Sequence, residues 1–220
     1  MIQYQQQNDI FSFLLPQTVH VGIDTTRLNY IVAKQKESNW CWAASIETIS
    51  KYYGLNVRQE DFAADYCGVD WNGRIKNCPA KIDIITKDLN QCYWNELGQI
   101  THCINAQVRF GRPDTNTLIN CLTNNMPVIL AYHGLNIGHA VILTAMSYQD
   151  TFFGRELKSL TVRDPSPVYH YQPNAGWLQY NMPDVLLDTV YAWWIPTVTK
   201  YPTQCAQENS YRHNSLRVIG

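Results

Sequence analysis

A glutamine stands six positions before a cysteine in the segment Gln35-Lys-Glu-Ser-Asn-Trp-Cys41-Trp-Ala-Ala-Ser45, and that spacing can bring an amide donor close to a thiol. Ser38-Asn39 offers a helix cap. Apolar side chains at Trp42, Ile46, Ile49 and Tyr53 then recur in steps of a helical turn, so Cys41 is expected at the start of a helix. Unpaired backbone N–H groups and the helix dipole favour negative charge there, which makes sulfur available as a nucleophilic thiolate. Gln35 and the backbone N–H of Cys41 would then be two donors for the oxyanion of a tetrahedral adduct. Taken alone, Cys41 reads as a small buried hydrophobe. Two distant residues change that reading. Gly138-His139 opens an apolar stretch of strand length, and Val162-Arg163-Asp164-Pro165 closes another. If the two strands form a hairpin turning near residues 150–154, His139 and Asp164 come out almost opposite each other at one end. The carboxylate can then fix the imidazole tautomer so that its other nitrogen faces the thiol.

The elements that must position these residues follow from the pattern. Helices are expected at 41–53, 58–67, after Pro79 through Ile82, Ile85 and Leu89, and from an Asp114 cap through Leu122. From Pro127 the period changes to strands at 128–132, 139–146 and 157–163, with a last one around Trp193-Trp194-Ile195. Ile10–Leu15, Val19–Ile23 and Tyr30–Val32 read as short strands or extended covering segments. The chain is expected to be one α+β catalytic domain over 1–220, with a covering segment at 1–34, a mainly helical lobe at 35–125, a mainly β lobe at 126–200 and a polar tail at 201–220.

Composition narrows the function classes. The 220 residues are 45% apolar and 16% charged, with net charge −1 and no basic run, so the electrostatic footprint of a nucleic-acid binder is missing. No apolar run reaches membrane-spanning length and the start lacks a cationic signal. The expectation is a protein that stays in the cytoplasm or leaves by a signal-independent secretion route. Cys67–Cys78 and Cys92–Cys103 have the spacing of short bridges, but without an export signal the balance favours reduced thiols. No metal site or cofactor is assigned. Among the other residues, His133 is a rival base without an acid opposite it. His20, His102, His170 and His213 read as surface or satisfied groups. Trp40 and Gly138 are expected to line a substrate cleft, Trp42 to pack beneath the helix, and Trp177, Trp193 and Trp194 to be core. Asp184 and Asp188 read as a solvated pair.

Gln-x5-Cys-Trp-Ala-Ala-Ser, a later Gly-His before an apolar strand, and Asp-Pro together resemble the papain-like cysteine peptidases of bacteria. Those include the double-glycine leader peptidases and secreted papain-like effector proteases. Tyr52-Tyr53-Gly54, Gln59-Glu60-Asp61-Phe62-Ala63 and Cys67-Gly68 extend the likeness, which spans roughly residues 35–165. The resemblance implies a papain-like fold, with a helical lobe carrying Cys41 and an antiparallel sheet carrying His139 and Asp164. It also implies Gln35 as the oxyanion-hole glutamine, a peptide or protein substrate, a role as effector or toxin, and a cognate inhibitor or immunity protein. The chain departs from plant and lysosomal relatives in having Asn39-Trp40 before the cysteine, a shorter 41-to-139 interval, and Asp in place of Asn. The same site would serve an acyl transferase, deamidase or amidase, since all begin with a thioester. A binding module that keeps the fold without catalysis is the non-enzymatic alternative.

Overall fold

The computed structural model describes residues 17–96, 98–133, 138–170, 175–201 and 217–218. The order of elements is β1 (Thr18–Gly22), α1 (Leu28–Ile31), α2 (Cys41–Tyr52), α3 (Gln59–Cys67), α4 (Ile82–Asp88), β2 (Gln91–Trp94), β3 (Ile100–Asn105), β4 (Val108–Phe110) and α5 (Thr115–Thr123). There follow β5 (Val128–His133), β6 (Gly138–Thr151), β7 (Gly154–Arg163), a 3-10 turn at Pro167–Tyr169, β8 (Trp177–Tyr180), α6 (Pro183–Leu187), β9 (Val190–Trp194), β10 (Thr197–Lys200) and β11 (Arg217–Val218).

The main sheet is antiparallel throughout, in the order β4-β9-β5-β6-β7-β8. Strand β6 is long enough to pair with β5 along its first half and with β1 along its second. Both faces of its centre are covered, which is why β5 and β6 read as continuous apolar runs rather than as alternating ones. Ile129, Ala131, Ala140 and Ile142 pack with Trp42, Ile46 and Ile49 of α2 on one face. Val128, Leu130, Val141 and Leu143 pack with Leu118, Cys121 and Leu122 of α5 on the other. Asp114 caps α5 as expected, its carboxylate accepting from Thr117 N–H at 2.8 Å.

The sequence pattern and the structure part at several places. Strands β2, β3 and β10 build a second, smaller sheet with β11, so the stretch 35–125 is less helical than its sequence suggests. Strands this short carry too little alternation to stand out. Pro79 does not begin α4, which starts three residues later from an extended Lys81. Tyr30 and Ile31 lie in a single helical turn, not an extended segment, with Leu28 of that turn buried. Ile10–Leu15 and the tail from Pro202 lie outside the described residues. No helix among the described residues is long and apolar enough to cross a membrane.

The four cysteines expected to be reduced form two disulfides, Cys67–Cys78 and Cys92–Cys103, while Cys41 and Cys121 are free and buried. The β2–β3 register sets Cys92 directly opposite Cys103. Cys67 ends α3, where the chain turns at Gly68 and comes back to Cys78. Closing a loop of this length stabilises a fold by about 2–3 kcal/mol. Reduction of the Cys67–Cys78 bridge, or its replacement by Cys67→Ser/Cys78→Ser, should lower the unfolding free energy by about that amount in urea titrations.

Candidate active site

The candidate site is built on the start of α2, the start of β6 and the chain just past β7. Helix α2 has Trp40 as its N-cap and no side-chain hydrogen bond at that end, so its first N–H groups remain open toward the space in front of Cys41. Ser45, one turn further on and fully buried, donates to the carbonyl of Ala140 at 3.3 Å. That bond fixes the cysteine's helix against the strand position next to His139. The cysteine and the histidine share a pocket of about 150 Å³, walled also by Asn39, Trp42, Pro79 and Tyr191.

His139 Nε2 and Asp164 Oδ1 are 2.9 Å apart. This leaves Nδ1 for the Cys41 side chain, which lines the same pocket. The hairpin reading had His139 and Asp164 almost opposite, and the register offsets them by two positions. Ile142 pairs with Arg163, so Asp164 falls across from Val141, two residues from His139 on the same face. Diagonal neighbours at that offset remain within reach of long side chains. The Tyr132 ring meets the imidazole edge-on with centroids 5.6 Å apart.

Asp164 is 2% exposed and held on every side. Its Oδ1 also accepts from Ser166 N–H at 2.7 Å, its own N–H donates to Gly176 O at 2.8 Å, and its carbonyl lies 2.8 Å from His170 Nε2. Gly176 has φ of +72°, and a Cβ there would come within 2.3 Å of the Asp164 carbonyl, so only glycine fits. At Gly138 a Cβ would come within 2.8 Å of the Tyr191 hydroxyl, which leans over the pocket.

Burial pulls the His139 pKa down, but the hydrogen bonds to Asp164 and Cys41, with their charges, outweigh it and raise the pKa from 6.5 to about 10. Imidazolium is therefore the favoured form at neutral pH, next to a cysteine at an open helix start.

Gln35 is buried, and its Nε2 donates to the carbonyls of Glu37 and Ser38, each at 3.0 Å. Both amide hydrogens thus brace the turn that leads into α2. Its Oε1 has no hydrogen-bond partner among the described residues. Gly138 lines the pocket. Trp40 does not: it is 3% exposed and packs in the core, whereas Trp42 takes the wall position and donates from Nε1 to Cys78 O at 3.3 Å. A helix that begins at Cys41 turns the residue before it inward. His133 is exposed, its ring tilted against Tyr191 at 4.5 Å. Asp184 and Asp188 are not a bare solvated pair, because Arg112 bridges them. Sequence reasoning missed Ser45, Tyr191 and the role of His170. Tyr191 reaches the site only through the β5–β9 pairing, which leaves no local signal.

Residues 27–183 match the Peptidase_C39 like family. The chain belongs to that family, and it is a papain-like cysteine peptidase. The matched stretch contains Gln35, Cys41, His139 and Asp164. Two solved structures are similar to this papain-like peptidase. One is a double glycine motif protease from the AMS/PCAT transporter in complex with the leader peptide, at 20% identity and TM-score 0.46, covering 81% of this chain and 99% of that one. The other is the peptidase domain of Streptococcus ComA, a bi-functional ABC transporter involved in a quorum sensing pathway, at 12% identity and TM-score 0.47, covering 78% and 99%. No curated protein matches the chain.

The raised His139 pKa has a sign that can be checked. A group protonated more readily in the folded state contributes stability that is full below its unfolded pKa and lost as pH rises through its folded one. The urea midpoint difference between wild type and Asp164→Ala should be largest near pH 6 and narrow as pH approaches about 10.

Proposed function

We propose that Cys41 is the nucleophile, His139 its acid–base partner and Asp164 the residue that orients the imidazole, in hydrolysis of a peptide or isopeptide bond. The observation that carries this reading is the position of His139, bonded through Nε2 to a buried carboxylate and sharing its pocket with the Cys41 side chain. The Cys41 sulfur adds to the substrate carbonyl, and the developing oxyanion meets the backbone N–H of Cys41 and one Nε2 hydrogen of Gln35. Gln35 gives up one of its two carbonyl partners to do so, and its unbonded Oε1 does not hold it back. His139 then transfers its proton to the leaving amine as the C–N bond breaks, leaving a thioester on Cys41. Water attacks the thioester with His139 taking its proton, and the C–S bond breaks to release the acid, returning the cysteine sulfur and the protonated imidazole.

The space beyond the pocket supports an extended substrate. An open groove of about 950 Å³, walled by Ile82, Val108, Phe110 and the stems of Lys81 and Lys87, shares Ala80 and Tyr191 with the Cys41 pocket. A polypeptide with apolar side chains on one side of the scissile bond fits such a groove better than a small amide.

The two disulfides support a working place in an oxidising compartment, hence an exported protein. An effector or toxin role, with an inhibitor protein that covers the cleft, is compatible with export.

Cys41→Ala should abolish cleavage, and Gln35→Ala should lower kcat by about 10²–10³-fold with little change in KM. Mass spectrometry of the products separates the chemistries: a cut backbone supports peptidase action. A 1-Da gain without a cut would show deamidation instead, and a cross-link would show acyl transfer.

A further inference from the structure

The segment Lys34–Lys36 carries Gln35 past the site, and a buried amide grips it. Gln59, the first residue of α3, is 1% exposed. Its Nε2 donates to Lys34 O at 2.9 Å and its Oε1 accepts from Lys36 N–H at 2.9 Å. In an extended segment those two groups point to the same side, so one carboxamide engages both peptides flanking Gln35 as a neighbouring strand would. On the opposite side, Gln35 N–H donates to Pro165 O at 2.8 Å, one residue past Asp164.

Gln59 is itself held by the nucleophile's helix. Glu47 of α2 is buried, and its Oε2 accepts from Gln59 N–H at 3.0 Å and from Gln59 Nε2 at 2.9 Å. Lys51, one turn along α2, balances the charge from 2.5 Å at Oε1. With Glu47 as acceptor, the Gln59 amide cannot flip without bringing its oxygen against a carboxylate. Glu47 and Gln59 thereby join the segments bearing Gln35 and Cys41, and the Gln35–Pro165 bond adds the segment bearing Asp164.

We infer that Gln59, oriented by Glu47, is a positioning residue for the oxyanion hole: it sets where the Gln35 amide stands relative to the start of α2. The inference rests on the proposed role of Gln35 and adds to it a device on a different helix. Loss of the bracket should affect the step in which an oxyanion forms, not the pairing of Cys41 with His139, which depends on the α2–β6 contact instead.

Gln59→Met keeps the side-chain length and removes both hydrogen-bonding ends. It should lower kcat by about tenfold or more with KM nearly unchanged, while the rate of Cys41 alkylation by iodoacetamide stays at the wild-type value. Amide hydrogen exchange at Lys36 should speed up by about tenfold. On a Gln35→Ala background, Gln59→Met should cost no further kcat, because the group it positions is gone. Gln59→Glu should be at least as harmful, since it faces Glu47 with a like charge, and Gln59→Glu/Glu47→Gln should recover part of the loss. Unchanged Lys36 exchange, or a kcat loss that adds in full to that of Gln35→Ala, overturns the inference. If Gln59→Met does not fold, Glu47→Gln is read by the same criteria. If wild type and Cys41→Ala are equally inactive, the reading of Cys41 falls. Lys36 exchange then decides the bracket alone, faster exchange supporting it and unchanged exchange overturning it.

Discussion

Helix α2 enters the core with ten of its twelve residues buried, and it lies against β6 through side chains small enough to let the two backbones approach. Ala43 and Ala44 are fully buried, and the Ser45 hydroxyl reaches the Ala140 carbonyl. That contact brings the start of the helix beside the start of the strand, and so Cys41 beside His139. The remaining features of the site adjust what this docking sets in place. The open N–H groups of α2 lie in front of the sulfur, Asp164 anchors the far nitrogen of the imidazole, and Ser166, Gly176 and His170 hold Asp164.

The electrostatics follow from the same contact. A buried imidazole would ordinarily lose its proton more readily than one in water. Here a carboxylate on one side and the cysteine on the other reverse that preference, so burial strengthens the interactions instead of neutralising the group. The loop between Cys67 and Cys78 leads into the pocket wall and braces it. Asn77 accepts from Asn39 N–H and donates to Ser38 Oγ, and Pro79 and Ala80 follow at the pocket. The disulfide, expected to be absent, anchors both ends of the loop that shapes access to the sulfur.

Much of the site was legible because its residues carry their own local signals. Cys41 stands where a helical stripe begins, His139 where an apolar strand begins, and Asp164 just before a proline that ends one. The hairpin that joins the last two was also legible, since its turn residues sit midway between two apolar runs. Its register was legible only to within two residues, because the turn falls between Thr151 and Gly154, one position later than the midpoint of the two apolar runs. Long-range partners were out of reach. Tyr191 arrives through strand order, Gln59 through the meeting of α3 with the segment Lys34–Lys36, and the small sheet through strands too short to show alternation. The inward turn of Trp40 and the wall position of Trp42 depend on where α2 begins to a single residue, which sequence patterns fix poorly.

The central claim is that the His139 imidazole is held between a thiol and a carboxylate, and nitrogen-15 NMR of histidine-labelled protein tests it most directly. The account predicts that both His139 ring nitrogens stay protonated well above pH 6.5, losing a proton only near pH 10, and that Cys41→Ala lowers that midpoint. A His139 that titrates near 6.5 in the wild-type protein, with no response to Cys41→Ala, would contradict it.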